Sequence, residues 1–163
     1  MVFGLFKKKE KEQKRPLKKT IGDINFAYEK SKSLTTPTEQ KFFNLLIESI
    51  DDQYYINKKV RMEDVINVKR RTEKKEKFGF RSRIKLRHID FTISKKQTGE
   101  IIKCIELDDL THLKNSKQAS DDIIDKIFET AGVSLLRIPV QTNFEVGNLE
   151  KAIKDNLQEF MKN

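Results

Sequence analysis

The sequence has a single cysteine, Cys104, together with two histidines and no tryptophan in 163 residues. One cysteine cannot form an internal disulfide, and it cannot complete a four-ligand zinc site with only two histidines. No apolar run approaches the ~20 residues of a transmembrane helix. The short apolar stretch at residues 1–6 precedes the lysines, which is the reverse of a signal peptide. These absences predict a protein of the reducing cytoplasm, with no zinc and no membrane span.

Charge is abundant and unevenly distributed. Charged residues make up 36% of the chain and the net charge is +9. Residues 1–19 carry a net charge of +6 and residues 69–87 a net charge of +8, which leaves −5 for the remainder. Two basic segments beside an acidic remainder are typical of a protein that binds a polyanion near a cluster of carboxylates. The eleven phenylalanines still allow a modest hydrophobic core.

The chain divides into a flexible basic arm over residues 1–34 and a folded domain over residues 35–163. The arm lacks hydrophobic periodicity, so it serves either to solubilise the chain or to contact nucleic acid or an anionic membrane surface. For residues 69–87 we favour nucleic acid, because this segment leads directly into the acidic one. The predicted phosphate contacts are Lys69, Arg70, Arg71, Arg81, Arg83, Lys85 and Arg87, with Lys117 as a further candidate that could equally lie in a solvated turn.

Hydrophobic periodicity predicts an α/β domain. The first helix begins at a capping box, with Thr36 as N-cap, Pro37 at the first helical position and Glu39 three residues after the cap. Strands are expected at residues 54–60, 84–93, 101–108 and 133–138, the last ended by Pro139, with a helical turn at 62–66 and a basic loop after it. Further helices are expected at residues 120–131, before Gly132, and from Asn148 onward. The order α-β-β-β-α-β-α predicts a mixed sheet of about four to five strands flanked by helices.

Three acids fall on the predicted central hairpin. Glu106 and Asp108 are two residues apart on one strand and so share a face, on which Cys104 also lies as a small buried side chain. If the hairpin register places Asp90 opposite Glu106, the three carboxylates converge. Clustered carboxylates repel each other unless a cation neutralises them, and Mg²⁺ or Mn²⁺ suits oxygen ligands. Such a site favours phosphodiester hydrolysis, whereas a solvated strand edge is the alternative.

Two other residues are candidates for the same site. Glu39 lies on the helix stripe that faces the sheet and adds a fourth carboxylate, although it could simply cap its own helix. His112 follows the return strand and could bind phosphate or act as a general acid, with a surface histidine as the alternative. His88 shares the strand face of Asp90, and for it too the alternative is a structural or surface histidine. Arg137 is expected to form a salt bridge at the end of its strand.

Four segments together resemble a known group. They are Thr36-Pro37-Thr38-Glu39 with the apolar helix, His88-Ile89-Asp90-Phe91, residues 105–109 with Thr111-His112, and residues 131–138. In this order they are similar to a bacterial family of uncharacterised function in the PD-(D/E)XK, or restriction-endonuclease-like, superfamily, near the very short patch repair endonucleases. The resemblance covers about residues 35–160.

The resemblance implies a metal-dependent DNA endonuclease in which Asp90 and Glu106 are the motif acids and Glu39 is the helical acid. Asp108 stands where the common pattern has lysine, so activation of water by a lysine at that position is not expected, and His112 would have to assist. The metal ligands would be Asp90, Glu106 and Asp108. The alternative is a nucleic-acid-binding module that has lost hydrolysis, with RNA as a second ligand. Many members of the superfamily act as dimers, which makes a homodimer a further expectation.

Overall fold

The computed structural model describes residues 28–109, 115–140 and 146–162. The described residues from Ser33 onward belong to one compact unit, and residues 28–32 precede it without regular helix or strand. Most of the predicted basic arm, residues 1–27, lies outside the described residues, so its flexibility stays a prediction. Within the described ranges, no helix combines the length and the apolarity that crossing a membrane requires.

One mixed sheet of four strands organises the domain, which confirms the predicted α/β class. The sheet order is β1-β2-β3-β4, with β1–β2 and β2–β3 antiparallel and β3–β4 parallel. The elements, in chain order, are α1 Pro37–Ser49, β1 Tyr54–Arg61, α2 Met62–Val65, α3 Lys74–Ser82, β2 His88–Lys95, β3 Ile101–Asp109, α4 Asn115–Ala131, β4 Leu135–Val140, α5 Val146–Asn156 and a 3₁₀ turn Gln158–Phe160. The parallel pair is joined through α4, as a βαβ crossover requires.

The start of α1 confirms the predicted capping box. The backbone N–H of Glu39 donates to Thr36 Oγ1 at 3.2 Å, and the backbone N–H of Thr36 donates to Glu39 Oε2 at 2.8 Å. Pro37 occupies the first turn, where it has no hydrogen bond to lose. Downstream, Phe42 and Leu46 are fully buried, so the predicted apolar stripe anchors α1 on the sheet.

Two apolar clusters cover the two faces of the sheet. Ile105 belongs to the cluster formed with α1 and α5, whereas Cys104 belongs to the cluster formed with α2 and α4. Adjacent residues of a strand point to opposite faces, so the clusters lie on opposite sides of β3. Cys104 is fully buried, as expected, and burial raises the pKa of its thiol to about 12.

The segment between α3 and β2 differs from the prediction. Residues 84–87 do not belong to a strand, because the N–H groups of Ile84 and Lys85 both donate to the Arg81 carbonyl and continue the helix end as turns. Ile84 is buried, but this isolated apolar position does not start a strand. The basic segment was predicted to be a loop, but part of it forms helix α3. Its lysines, glutamate and arginine are good helix formers.

The last strand and the last two helices also shift at their ends. β4 begins at Leu135 and runs through Pro139 to Val140, so the prediction that Pro139 ends the strand is wrong. Proline is tolerated there because β4 lies at the edge of the sheet. Helix α4 begins earlier than predicted, although Gly132 follows it with φ +70, as a C-terminal cap should. Helix α5 includes Asn148, which therefore does not cap it.

Candidate active site

The candidate site lies where the ladder between β2 and β3 ends. The last bonded pair is Phe91 with Ile105, which places Asp90 and Glu106 one position beyond it, as the predicted register requires. Asp90 is 9% exposed, and its Oδ2 accepts a hydrogen bond from the backbone N–H of Leu107 at 3.0 Å. The Asp90 carboxylate therefore connects the two strands at the point where their backbones stop pairing.

Lys59 enters this site from β1. Its Nζ donates to Glu39 Oε1 and to Asp90 Oδ1, both at 2.7 Å. In the described part of the chain it is the one non-glycine residue with a positive φ, 53°. A left-handed residue with a side chain costs about 1–2 kcal/mol. Two short ion pairs with well-buried carboxylates offset that cost and hold the backbone of Lys59 in this conformation.

Glu39 performs both of the roles considered for it. Oε2 caps the helix at Thr36, while Oε1 accepts from Lys59. Burial alone would raise the pKa of Glu39, but the hydrogen bonds from Lys59 and from the Thr36 N–H outweigh burial and lower the pKa below its ordinary value. Burial alone would lower the pKa of Lys59, and the bonds to Asp90 and Glu39 reverse this and raise it. The lysine and the glutamate are both charged at neutral pH.

Glu106 is in the opposite electrostatic situation. Burial and then the negative charge of Asp90 raise the pKa of Glu106 from 4.5 to about 8, although Arg137 opposes the shift. Among the described residues, none donates a hydrogen bond to its carboxyl group. This side chain therefore keeps its proton to a higher pH than an exposed glutamate does. A partly buried carboxyl without a donor and beside a second acid is a position where a cation would be stabilised.

Asp108 is held by Arg137 from the neighbouring strand. Arg137 Nη1 lies 3.0 Å and 3.2 Å from the two carboxylate oxygens, and Arg137 Nε donates to Asp125 Oδ1 at 2.7 Å. Arg137 thus forms a salt bridge, as expected, although it lies within β4 and not at its end. No three acidic, histidine or cysteine side chains of the described ranges form a cluster able to hold a metal ion. The ligand set of Asp90, Glu106 and Asp108 stays a prediction, and Asp108 is engaged elsewhere.

Three predicted site residues remain, the two histidines and Lys117. His88 is exposed at the start of β2, opposite Arg61 of β1. His112 lies outside the described residues, so its predicted role stays a prediction. Lys117 lies in the first turns of α4. Neither histidine therefore adds to the described geometry of the site.

The basic segment ends beside the site. Arg87 is three residues before Asp90, and its carbonyl accepts from the N–H of Met62, the first residue of α2. Arg81 Nε and Arg61 Nη2 both donate to the Glu63 carboxylate at 2.6 Å. All seven predicted contacts of this segment are exposed at the surface. A polyanion bound along it would reach the acids without crossing the hydrophobic core.

Lys59 is the residue that sequence reasoning missed. The common motif has its lysine at the place of Asp108, on the strand of Glu106, whereas here a lysine reaches Asp90 from the opposite neighbouring strand. Its left-handed conformation breaks the alternation of β1, so the strand pattern could not assign its direction. The one available signal was the pair Lys58-Lys59 inside a predicted strand, since lysine is depleted in strands.

The fold and the site define an α/β protein with a cluster of ion-paired acids at the end of a mixed sheet. The profile of a family described as "Protein of unknown function (DUF2726)" matches residues 31–157. The chain belongs to this family. No curated protein and no solved structure matches the chain.

Proposed function

We propose that this protein is a divalent-metal-dependent nuclease that hydrolyses phosphodiester bonds of DNA. The observation that carries the proposal is the meeting of Asp90 and Glu106 where β2 and β3 separate, with Lys59 beside them. A basic segment of net charge +8 leads into the same point. The resemblance of residues 35–160 to the PD-(D/E)XK superfamily supports the same activity.

The donor atoms at this point suit a hard cation. Glu106 offers a partly buried carboxyl that accepts no hydrogen bond from the described residues, and Asp90 faces it from the neighbouring strand. Mg²⁺ and Mn²⁺ prefer such oxygen ligands and retain water molecules. Asp90 and Glu106 would therefore hold the ion, which supplies a more acidic bound water and neutralises charge on the phosphate.

The other side chains prepare the site. Lys59 carries an ammonium group that Glu39 holds next to Asp90, so it can donate to a phosphate oxygen or orient the attacking water. Glu39 acts through Lys59 and is a positioning residue. Arg137 acts in the same way, because it binds Asp108 and offsets a third negative charge near Glu106. His112 is retained as a candidate proton donor.

One observation favours a second candidate function, a binding module without hydrolysis. Lys59 already forms ion pairs with Glu39 and Asp90, and Arg137 forms one with Asp108, within the chain itself. A protein whose acidic side chains are paired within the chain can bind nucleic acid through the basic segment without a metal ion. Such a module would show a salt-sensitive affinity and no cleavage.

Cleavage assays distinguish the two functions. Supercoiled, linear and single-stranded DNA, and RNA, would be incubated with Mg²⁺, Mn²⁺ or EDTA. We expect metal-dependent nicking by the wild type and a loss of at least about 100-fold in Glu106→Gln, the scale of a group that takes part in the chemistry. Glu100→Gln makes the same substitution at an exposed residue and should cut at the wild-type rate. Wild-type cleavage by Glu106→Gln, or no cleavage under any condition, would contradict the proposal.

The basic segment is tested by charge reversal. Arg81→Glu with Arg83→Glu should weaken DNA binding and lower the slope of log affinity against log salt by about 0.9 for each phosphate that the protein no longer neutralises. The matched control is Lys151→Glu with Lys154→Glu on α5, which makes the same change in net charge on exposed residues. Binding would be followed by fluorescence anisotropy in EDTA. Equal losses of affinity in the two double variants would show a general charge effect and no specific role of the basic segment.

A further inference from the structure

Helix α3 exposes an aromatic ring among cations. Phe78 is 76% exposed, and no residue of this nine-residue helix is buried. Residues three and four positions apart share a helix face, so Phe78 lies with Lys74, Lys75 and Arg81. A helix normally gains its stability by burying an apolar face. The side of α3 that carries Phe78 is therefore open to solvent.

The second phenylalanine of α3 serves the protein itself. Phe80 lines a cavity of about 440 Å³ together with Ile84 of the following turn and Ile127 of α4. The Arg83 guanidinium lies 5.3 Å from the centre of its ring. Phe80 therefore covers apolar surface of the domain, whereas Phe78, two residues earlier and on another side of the helix, does not.

A chain of ion pairs connects the Phe78 face to the candidate active site. Arg81, on that face, donates to Glu63, and Glu63 also accepts from Arg61 at the end of β1. Arg61 is two residues after Lys59 on the same strand. Arg81 and Arg61 therefore lie in sequence between the Phe78 face and β1, with the Glu63 carboxylate bridging them.

We propose that the Phe78 face of α3, formed by Phe78, Lys74, Lys75 and Arg81, stacks an unpaired base, so that the ligand of the basic segment is single-stranded nucleic acid. The inference rests on the proposed function for its ligand class. A duplex presents phosphates and base edges, whereas an unpaired strand also presents the flat face of each base. An exposed ring surrounded by cations matches both chemical features of a single strand, its negative charge and its stacking surfaces.

The experiment measures binding in EDTA by fluorescence anisotropy, with a labelled oligo-dT strand of about 15 nucleotides, an abasic strand of equal length and a duplex of equal length. The abasic strand keeps the phosphates and lacks every base. We expect the wild type to bind oligo-dT roughly 5- to 150-fold more tightly than the abasic strand, which is the range for stacking of one base. It should also prefer oligo-dT over the duplex.

Variants separate stacking from charge. Phe78→Ala should abolish the preference for oligo-dT over the abasic strand and leave the salt slope unchanged, while Phe78→Trp should retain the preference. Lys75→Gln should retain it too and lower the salt slope by about 0.7. Tyr55→Ala is the matched control, since Tyr55 is also exposed, 54%, with Lys96 Nζ 5.5 Å from its ring centre. It should behave as wild type.

The outcomes do not depend on catalysis. Equal affinity of the wild type for oligo-dT and the abasic strand, tighter binding of the duplex, or an unchanged preference in Phe78→Ala would each overturn the inference. If Glu106→Gln abolishes cleavage while Phe78→Ala has no effect on strand preference, the nuclease proposal stands and this inference fails. If the preference depends on Phe78 but no cleavage occurs, this inference stands and the protein is a binding module.

Discussion

Replacing Lys59 with methionine is expected to lower the free energy of unfolding by about 2–3 kcal/mol. Methionine keeps an apolar stem but leaves Glu39 and Asp90, with side chains 13% and 12% exposed, facing each other without their shared cation. Exposed ion pairs contribute about 0–1 kcal/mol, and breaking buried pairs costs about 3–5 kcal/mol. The Lys59 side chain is 27% exposed, which places this network between the two cases.

The measurement is urea unfolding at pH 7, with Lys96→Met as the matched control. Lys96 pairs with Asp52 at 3.3 Å, and both side chains are largely exposed, so the control should lose less than about 1 kcal/mol. Adding Asp90→Asn to Lys59→Met should recover part of the loss, because one of the two repelling charges disappears. If Lys59→Met costs no more than Lys96→Met, the Lys59 network contributes nothing to folding.

Stability is expected to fall as pH rises, because of Glu106. Its pKa is 4.5 in an ordinary environment and about 8 in the folded protein. Between these values the folded state binds a proton that the unfolded state has released. The contribution of Glu106 is therefore complete below pH 4.5 and is lost as the pH rises through 8, by about 1.4 kcal/mol for each pH unit within the window.

Glu106→Gln isolates this contribution, since the amide has the shape of the neutral acid and does not titrate. We expect the variant and the wild type to have similar free energies of unfolding near pH 5. At pH 8 the variant should be more stable by a few kcal/mol, and the difference should grow steadily between the two pH values. Parallel curves for the two proteins over pH 5–8 would show that Glu106 is charged in the folded state throughout this range, which contradicts the prediction.

Local signals in the sequence were sufficient for much of the fold. The capping box of Thr36 and Glu39 depends only on neighbouring residues, and it is confirmed. The facing of Asp90 and Glu106 follows from alternation and from the hairpin turn that joins β2 to β3, and the observed register places the two residues one position beyond its last pair, Phe91 with Ile105. These features are set within one element or between two adjacent ones, where periodicity is informative.

Features that depend on distant elements were not predicted. Lys59 meets Glu39 and Asp90 from positions 20 and 31 residues away, through a backbone conformation that strand propensity disfavours. Arg137 was predicted to form a salt bridge, but its partner Asp108 follows only from the parallel pairing of β3 with β4. The parallel strands β3 and β4 are connected through a helix and not through a short turn. The sequence therefore contains no local signal for their register.

The burial of Cys104 has a practical consequence for studying this protein. The chain has no other cysteine, and the thiolate, which is the reactive form, is suppressed at Cys104 by a pKa of about 12. Maleimide dyes and nitroxide spin labels should therefore leave the native protein unmodified. A single added thiol, for example Lys75→Cys on α3 with Lys154→Cys as a remote reference on α5, would report strand binding at the Phe78 face without removal of the native cysteine.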